Sequence, residues 1–281
     1  MKSVSVVIPN YNGRALLECF LPSVKTALLH PSVSASEIIV SDDASSDDSV
    51  AFLRKHHPDV IVVESRQNTG FAPTANRGLF HATKETVLML NTDMELMPDT
   101  IGVMLSRMTD ECFGVSCAIC DPHDGHIQEG LKKMSVRGSK LGYTDDTGQS
   151  AQGETMYLCG GLALMDRSKL MALGGYDIRY APFYFEDMDL SLRAQQRGWR
   201  SFYTSATKAV HQHSATIGSH FSKEEVKAVF IRNRVLVSWR FLPQRRVRIV
   251  MNAAFHAFKE TLSHAAFRPY SEALKRLIHD K

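Results

Sequence analysis

The sequence has few cysteines and no long apolar run. Its five cysteines are odd in number and stand beside twelve methionines in 281 residues. No charged-then-apolar leader precedes Val4, so neither export nor a disulfide framework is expected. No apolar run approaches the roughly 18 uninterrupted residues that a membrane-spanning helix needs. These absences predict a protein of the reducing cytosol that does not span a bilayer.

Charge of neither sign dominates the whole chain, but its two ends differ. The net charge of +3 combines −5 over residues 1–222 with +8 over residues 223–281. A basic tail of this kind can contact anionic lipid, a phosphate-bearing acceptor or nucleic acid, or can be a solvated helical face. We therefore predict a main domain over 1–222, with halves of about 1–110 and 111–222, and a basic helical extension over 223–281.

Four short apolar runs alternate with stretches compatible with helices. The runs cover residues 4–9, 37–41, 60–64 and 86–90. Alternation of this kind predicts an α/β fold with a mostly parallel central sheet flanked by helices. Ligands of such sheets bind beyond the carboxyl ends of the strands, so polar residues that directly follow each run are the first candidates for a site. They cover residues 10–13, 42–47, 68–70 and 91–93.

The second half of the chain has a weaker pattern. Residues 138–152 are polar and contain glycine, which predicts a mobile loop over the edge of the site. Residues 186–197 predict a helix stopped by Gly198. Residues 223–242 and 245–266 predict two further helices, of which the second could lie on a membrane surface. Packing on the main domain or on a second subunit is the favoured alternative.

Two strand ends carry acids suited to binding a nucleotide. The first strand ends without the G-x-G-x-x-G of a dinucleotide fold, which disfavours a nicotinamide enzyme. The Asp42 carboxylate could accept a hydrogen bond from the imide N–H of a uracil or thymine, while Ser46 or Asp47 could cap the next helix. Asp93, in Asn91-Thr92-Asp93, suits a hard divalent cation that bridges a diphosphate.

A third acidic group opens the helix predicted over 186–197. Glu186, Asp187 and Asp189 stand where the positive end of the helix dipole favours ionised acids. An ionised carboxylate at this place can act as a general base. Capping and dipole complementarity remain the alternative for Glu186 and Asp187, and we assign Asp189 only that role.

Five motifs taken together resemble those of family 2 glycosyltransferases. They come in family order and at family-like spacing over roughly residues 4–215, so the set is far more specific than any one member. The segment Asn68-Thr69-Gly70-Phe71 is similar to that of rhamnosyltransferase-like and galactofuranosyltransferase-like enzymes. The motifs are Val6-Val7-Ile8-Pro9-Asn10-Tyr11-Asn12, Ser41-Asp42-Asp43-Ala44-Ser45, Asn68-Thr69-Gly70-Phe71 with Asn76-Arg77-Gly78, Leu90-Asn91-Thr92-Asp93, and Gly174-Gly175-Tyr176-Asp177 with Glu186-Asp187-Met188-Asp189-Leu190.

The resemblance implies a GT-A fold and a role for each motif. Asp93 would hold Mn²⁺ or Mg²⁺ as the last acid of a D-x-D element in which Asn91 replaces the first acid. Asp187, with Glu186 beside it, would take the proton from an acceptor hydroxyl, and His211 or His213 would contact the diphosphate or the metal. We favour His211; a structural role is the alternative. The implied nucleoside pocket comprises Pro9, Tyr11, Asp42, Asn68, Gly70, Phe71 and Asn76.

The activity so implied is inverting transfer of a sugar from a UDP- or dTDP-linked donor to a bacterial surface glycan or glycolipid. A sugar-1-phosphate nucleotidylyltransferase is the nearest rival, although Tyr11-Asn12-Gly13-Arg14 is a poor version of its glycine-rich loop. A noncatalytic carbohydrate-binding or scaffold protein would not need both Asp93 and Asp187. Nucleic-acid binding through the tail is disfavoured, and a homodimer stays open. The expected location is the cytoplasm, with the inner face of the plasma membrane as an option.

Overall fold

The structure is a computed structural model that describes residues 1–148, 151–212, 221–263 and 266–279. These residues fall into two compact units. Unit 1 comprises Met1–Lys132, Asp145–Ala181 and Glu186–His213 as far as they are described. Unit 2 comprises Lys133–Thr144, Pro182–Phe185 and the described part of Ser214–Lys281. Unit 2 thus takes short segments from the middle of the chain, while the predicted boundary at residue 222 stays a prediction.

A mixed sheet forms the centre of unit 1. Its main path runs in the order β10-β12-β6-β11-β4-β1-β2-β3, with β5 paired to β12 and β7 paired to β6. The pairs of β1 with β2, β2 with β3, β1 with β4 and β6 with β12 are parallel. The strands are β1 Lys2–Asn10, β2 Val33–Asp42, β3 Ile61–Glu64, β4 Thr86–Leu90, β5 Met94–Leu96, β6 Cys112–Cys120, β7 Ile127–Glu129, β10 Gln152–Glu154, β11 Leu162–Asp166 and β12 Arg200–His211.

Helices cover both faces of this sheet. On β1 and β4, Val6 and Leu88 belong to one buried cluster, while Val7 and Met89 belong to another. This is the pattern of strands buried on both faces, and the parallel pairing among β1, β2, β3 and β4 confirms the parallel sheet predicted from the four apolar runs. The helices of unit 1 are α1 Arg14–Leu28, α2 Ser49–His56, α3 Phe71–His81, α4 Thr100–Leu105, α5 Arg167–Ala172 and α6 Glu186–Gln196.

The prediction of a loop over residues 138–152 is wrong for part of that range. Strands β8 (Leu131–Arg137) and β9 (Lys140–Asp146) pair as a separate two-stranded sheet. The alternation of Leu141, Tyr143 and Asp145 with smaller residues is too short and too polar to be recognised as a strand without its partner. Residues 149 and 150 lie outside the described part of the chain.

Three helices make up most of unit 2. They are α7 Lys223–Phe241, α8 Arg246–Leu262 and α9 Pro269–His279. A capping box starts α7, in which Ser222 and Glu225 satisfy each other's backbone amides. The first two helices were predicted from sequence, whereas α9 was missed, because Ala273 is its one fully buried residue among those described. No helix among the described residues is long and apolar enough to cross a bilayer.

Asn233 holds a strained segment within unit 2. Its side chain is fully buried and donates hydrogen bonds of 2.9 Å to the carbonyl oxygens of both Phe183 and Tyr184. Tyr184 and Phe185 have φ angles of 72° and 76°, a left-handed conformation that costs non-glycine residues about 1–3 kcal/mol each. The two hydrogen bonds help to maintain this conformation.

Replacement of Asn233 by alanine is therefore expected to lower the free energy of unfolding by about 1–3 kcal/mol, because two carbonyl groups, that of buried Phe183 and that of Tyr184, lose a donor. Chemical denaturation followed by circular dichroism measures the change. Asn252→Ala, at a half-buried position of α8, is the matched control and should change stability by about 0.5 kcal/mol or less. Equal losses in both variants would contradict the assigned role.

Candidate functional site

The loops after β1 and β2 are joined by one carboxylate. Parallel pairing of the two strands puts Asn10 opposite Asp42. The buried Asp42 carboxylate accepts hydrogen bonds from Asn10 Nδ2 at 2.8 Å, from Ser45 Oγ at 2.6 Å and from Ser45 N at 2.9 Å. Asp42 thus orders the two loops of the predicted nucleoside pocket. The predicted contact between Asp42 and a nucleobase stays a prediction, and it would compete with these bonds.

Asp43 plays a matching part for the third loop, which the sequence reasoning missed. Its Oδ2 accepts hydrogen bonds from the backbone N–H groups of Thr69 and Gly70 at 2.9 and 2.8 Å. Gly70 caps α3 with a φ angle of 87°, where a side chain would be strained. The two adjacent acids, Asp42 and Asp43, were the available signal in the sequence, because each of them can bind the loop on its own side of the strand.

Asn76 joins α3 to the segment around Tyr176. The Asn76 side chain donates to the Tyr176 carbonyl and accepts from the Tyr176 N–H, both at 2.8 Å. The Phe71 ring meets the Tyr176 ring edge-on at a centroid distance of 5.8 Å. The predicted contact of Asn76 with a nucleoside would require these two hydrogen bonds with Tyr176 to break. Of the other predicted pocket residues, Pro9 and Tyr11 are half-buried and Asn68 is exposed.

Asp93 and His211 lie together because β5 pairs with β12. The antiparallel register sets His211 opposite Met94, and the Gln212 N–H donates to the Asp93 carbonyl at 2.9 Å. His211 Nε2 is 3.2 Å from Asp93 Oδ2. The other oxygen, Asp93 Oδ1, is buried and has no hydrogen-bond partner among the described residues. His213 lies outside the described residues.

The chemistry of this pair fits a divalent cation. A buried carboxylate oxygen that lacks a protein partner is costly unless a ligand satisfies it. Carboxylate oxygen and imidazole nitrogen are common ligands of Mn²⁺. Asp93 and His211 are thus suited to hold a cation, with Asn91 two residues from Asp93 as a further oxygen donor.

A second group of possible metal ligands lies in the turn after β6. Asp121, Asp124 and His126 approach one another closely, and Asp124 and His126 are exposed. Asp121 Oδ1 accepts from the His123 N–H at 2.8 Å, and Asp124 Oδ1 accepts from the His126 N–H at 3.0 Å. These are the local hydrogen bonds by which aspartates stabilise turns, so turn geometry explains the group.

Asp187 stands in the first turn of α6 with a carboxylate held from two directions. Oδ1 accepts from the Met188 N–H at 2.7 Å, and Oδ2 accepts from the Gly160 N–H at 3.1 Å. Burial raises the pKa of Asp187 to about 6, and the neighbouring charge of Glu129 adds to the rise against the lowering effect of these amides. A carboxylate with a pKa near neutrality is suited to act as a general base. Glu186, beside it, is buried.

The segment Cys159-Gly160-Gly161 connects Asp187 with the metal-binding candidates. Gly160 donates to the Asp187 carboxylate, and the next carbonyl, that of Gly161, accepts from the Asn91 N–H at 3.0 Å. A side chain at Gly161 would meet Asn91 Nδ2 at 3.3 Å, and one at Gly160 would meet Asp187 Oδ2 at 3.4 Å. The predicted base and the predicted N-x-D element thus flank one short loop. The two adjacent glycines were the sequence signal for this approach.

An ion-paired network lies near Asp187. The Lys132 side chain is almost fully buried and bonds both Glu129 and Asp145. The charges of Glu129 and Asp187 both act on Cys159, whose pKa burial raises to about 12. Sequence reasoning passed over Lys132 and Glu129, because nothing in their local pattern shows that β7 and β8 bring them to this side of the sheet.

Asp189, for which only capping and dipole complementarity were predicted, instead forms a buried ion pair. Its fully buried carboxylate pairs with Arg193 Nε at 2.6 Å and accepts a hydrogen bond of 3.1 Å from the Tyr180 hydroxyl. Arg193 in turn donates to the carbonyl groups of Leu173 and Gly175, both at 2.7 Å. This network fixes α6 against the Gly174-Gly175 turn and so positions the acids at the start of the helix.

Comparison with known proteins places the chain among sugar-transferring enzymes. The model of the family described as "Glycosyl transferase family 2" matches residues 5–174, a range that includes Asp42 and Asp93 and ends before Asp187. The chain is 24% identical to an N-acetylglucosaminyl-diphospho-decaprenol L-rhamnosyltransferase of Mycobacterium tuberculosis, over 84% of this chain and 86% of that protein. It is 21% identical to the O-antigen chain rhamnosyltransferase WbaN of Salmonella anatum, over 82% of this chain and 72% of that protein.

Among solved structures, the chain is similar to the mannosyltransferase PcManGT from Pyrobaculum calidifontis, which was solved with GDP-Man and Mn²⁺. The TM-score is 0.62 at 21% identity, with all of this chain and 76% of that chain covered. At that identity the similarity shows the fold, which is the predicted GT-A fold. The family match covers more than half of the chain. The chain therefore belongs to glycosyl transferase family 2 and is a glycosyltransferase of the rhamnosyltransferase-like branch.

Proposed function

We propose that this glycosyltransferase moves one sugar, with inversion, from a UDP- or dTDP-linked donor to a hydroxyl group of a bacterial surface glycan or glycolipid. The observation that carries the proposal is the loop at Cys159-Gly160-Gly161, which contacts Asp187 on one side and Asn91 on the other. An acid that accepts a proton and an acid suited to a cation are thus close to the same segment.

In the proposed reaction Asp187 takes the proton from the acceptor hydroxyl as that oxygen attacks the anomeric carbon. Attack comes from the face opposite the leaving nucleotide, so the configuration at that carbon inverts. The Met188 and Gly160 amides hold the two carboxylate oxygens, which fixes the direction in which Asp187 accepts the proton. Glu186 contributes negative charge beside it. A cation held by Asp93 and His211 would, when bound, neutralise charge on the leaving diphosphate.

The proposed substrates follow the relatives' names. The mycobacterial relative is named for a rhamnosyl transfer to a diphospho-decaprenol-linked sugar, and the Salmonella relative for O-antigen chains. A lipid-linked glycan is accordingly the proposed acceptor. All five cysteines are free, which supports a reducing compartment, and we place the reaction at the cytoplasmic face of the membrane that holds such an acceptor. A homodimer stays a prediction.

A panel of nucleotide sugars tests the proposed donor. A ligand that binds only the folded protein raises its melting temperature, so thermal shifts with UDP- and dTDP-linked sugars, with and without Mn²⁺, identify the donor. We expect a shift that needs both the nucleotide sugar and the cation. Transfer of radiolabelled sugar from that donor to a polyprenyl-diphosphate-linked acceptor then tests the reaction. Absence of any shift across the panel would contradict the proposed donor class.

The pH dependence of transfer tests the assignment of the base. Only the ionised carboxylate can accept a proton, and the pKa of Asp187 is raised from 3.8 to about 6. The rate at saturating donor should therefore be constant well above pH 6 and fall as the pH drops through about 6. Glu129→Gln removes a negative charge that helps to raise this pKa, so its acid limb should move to lower pH.

The matched control for Glu129→Gln is Glu154→Gln, which neutralises an exposed acid of unit 1 that pairs with Arg200. It should leave the acid limb of the rate profile in place. A limb that stays unchanged in Glu129→Gln, or moves equally in both variants, would rule out the proposed electrostatic effect on Asp187.

A further inference from the structure

One face of α8 exposes a continuous apolar stripe. We define the stripe as Val247, Met251, Phe255, Phe258 and Leu262, whose side chains are between 55% and 75% exposed. Their spacing of three and four residues places them on one side of the helix. Over these residues the stripe is about 22 Å long at 1.5 Å per residue. A soluble chain seldom exposes so many large apolar side chains in one patch unless the patch binds something.

The opposite face of α8 packs inside unit 2. Ile249 and Ala253 are buried on that face, where Ile249 and Asn252 line a small cavity together with residues of α7 and with Tyr270 of α9. Ile249 therefore cannot face a lipid surface, whereas Phe255 and Phe258 are exposed. Helix α8 therefore packs on its neighbours with one face and exposes the stripe on the other.

The charges around the stripe are all positive. Arg248 and Lys259 lie along one edge by helical spacing, whereas Arg246 lies on the far side of the helix, where it donates to the Trp239 carbonyl. Lys259 Nζ is 4.4 Å from the centroid of the Phe255 ring, so its stem follows the apolar surface while its charge stays at the edge. All three are exposed.

The one acid of α8 points away from the stripe. Glu260 accepts hydrogen bonds from the N–H groups of Tyr270 and Ser271 at 3.0 and 3.1 Å, at the start of α9. Its charge is thereby used to cap the N-terminus of α9. The outer face of α8 is left apolar at its centre and cationic along the edge that holds Arg248 and Lys259.

We infer that this stripe docks α8 in the plane of an anionic phospholipid surface. Apolar side chains would enter the boundary between headgroups and acyl chains, while the flanking arginine and lysine groups would contact lipid phosphates. A second copy of the chain is a poorer occupant, because a second stripe offers no acid to pair with Arg248 and Lys259. The inference rests on the proposed function only in that a lipid-linked acceptor gives the docking a purpose.

Vesicle flotation of the full chain tests the docking. We expect the protein to float with vesicles of phosphatidylglycerol and phosphatidylcholine, to bind phosphatidylcholine alone more weakly, and to be released in part by high salt. The double variant Met251→Ser/Phe258→Ser should lose about tenfold or more in lipid partitioning, because each residue loses its apolar transfer free energy. The control is Leu29→Ser/Phe80→Ser, which removes two exposed apolar side chains of unit 1 and should bind lipid like the unchanged protein.

Two measurements on the same samples separate the possible failures. Far-ultraviolet circular dichroism checks that the variants fold, and thermal shift with nucleotide sugar and Mn²⁺ checks donor binding. Donor binding without flotation would overturn the docking alone, and flotation without donor binding would overturn the proposed function alone. Light scattering that shows a dimer split by Met251→Ser/Phe258→Ser, with unchanged flotation, would identify a second copy as the occupant and overturn the inference.

Discussion

Asp187→Asn is expected to reduce sugar transfer by about 10²- to 10⁴-fold, the usual contribution of a general base, while donor binding persists. The amide oxygen of asparagine can still accept the hydrogen bond from Gly160, so the loop at Cys159-Gly160-Gly161 should keep its place. What is lost is the capacity to take a proton. Initial rates at saturating donor measure the first effect, and thermal shift with the donor measures the second.

The same variant should not be less stable than the unchanged protein. Burial raises the pKa of Asp187 above its ordinary value. At neutral pH the ionised carboxylate therefore costs more free energy in the folded protein than in the unfolded chain. Removing that charge relieves the cost and offsets the hydrogen bond from the Met188 N–H, which the asparagine NH2 group cannot accept, so the melting temperature should stay about equal. Asp110→Asn, at an exposed position of unit 1, is the control and should change neither rate nor stability. Full turnover by Asp187→Asn would disprove the base assignment.

Asp93→Asn is expected to remove most of the dependence of donor binding on the cation. The substitution replaces an anionic oxygen by a neutral one beside His211, and the N-x-D element then has no acid. Removal of an outer-shell partner of a metal ligand typically lowers metal affinity about 10- to 100-fold. Loss of the ligand itself should lower the donor affinity measured with Mn²⁺ by at least as much. Donor titrations with Mn²⁺ and with a chelator measure the difference.

Asp124→Asn is the matched control, because Asp124 belongs to the other acidic group that could hold a cation. It should leave the effect of Mn²⁺ on donor binding unchanged. If Asp124→Asn loses that effect and Asp93→Asn keeps it, the cation is held in the turn after β6 and the assignment of Asp93 fails.

The local elements of the fold were readable from the sequence where burial was complete. Strand β4 is buried over its whole length and strand β1 over most of it because both faces of the sheet are covered, and their apolar runs identify them without further information. Strand β9 has buried residues only near its two ends, Leu141 and Asp146, so its residues looked like a loop. Helix α9 was missed for a related reason, since Ala273 is its one fully buried residue among those described.

The roles of the pocket residues were less readable. Asn76 and Asp42 both appear in motifs that suggest ligand contacts, yet their side chains bind protein groups in Tyr176 and Ser45. A motif gives the residue type that a site needs and does not distinguish contact with the ligand from support of the loop that makes the contact. Asp43 shows the converse, because it supports the third loop without having been singled out.

The sequence by itself determined the α/β alternation, the acids at the strand and helix ends, and the basic character of the C-terminal segment. Each of these is a property of neighbouring residues, which periodicity and composition report. The tertiary structure decided which of the acids meet a partner. His211 reaches Asp93 through the register of β12 on β5, and Gly160 reaches Asp187 through a loop that also holds Asn91. It also decided which face of α8 is left exposed, because that depends on where α7 and α9 pack.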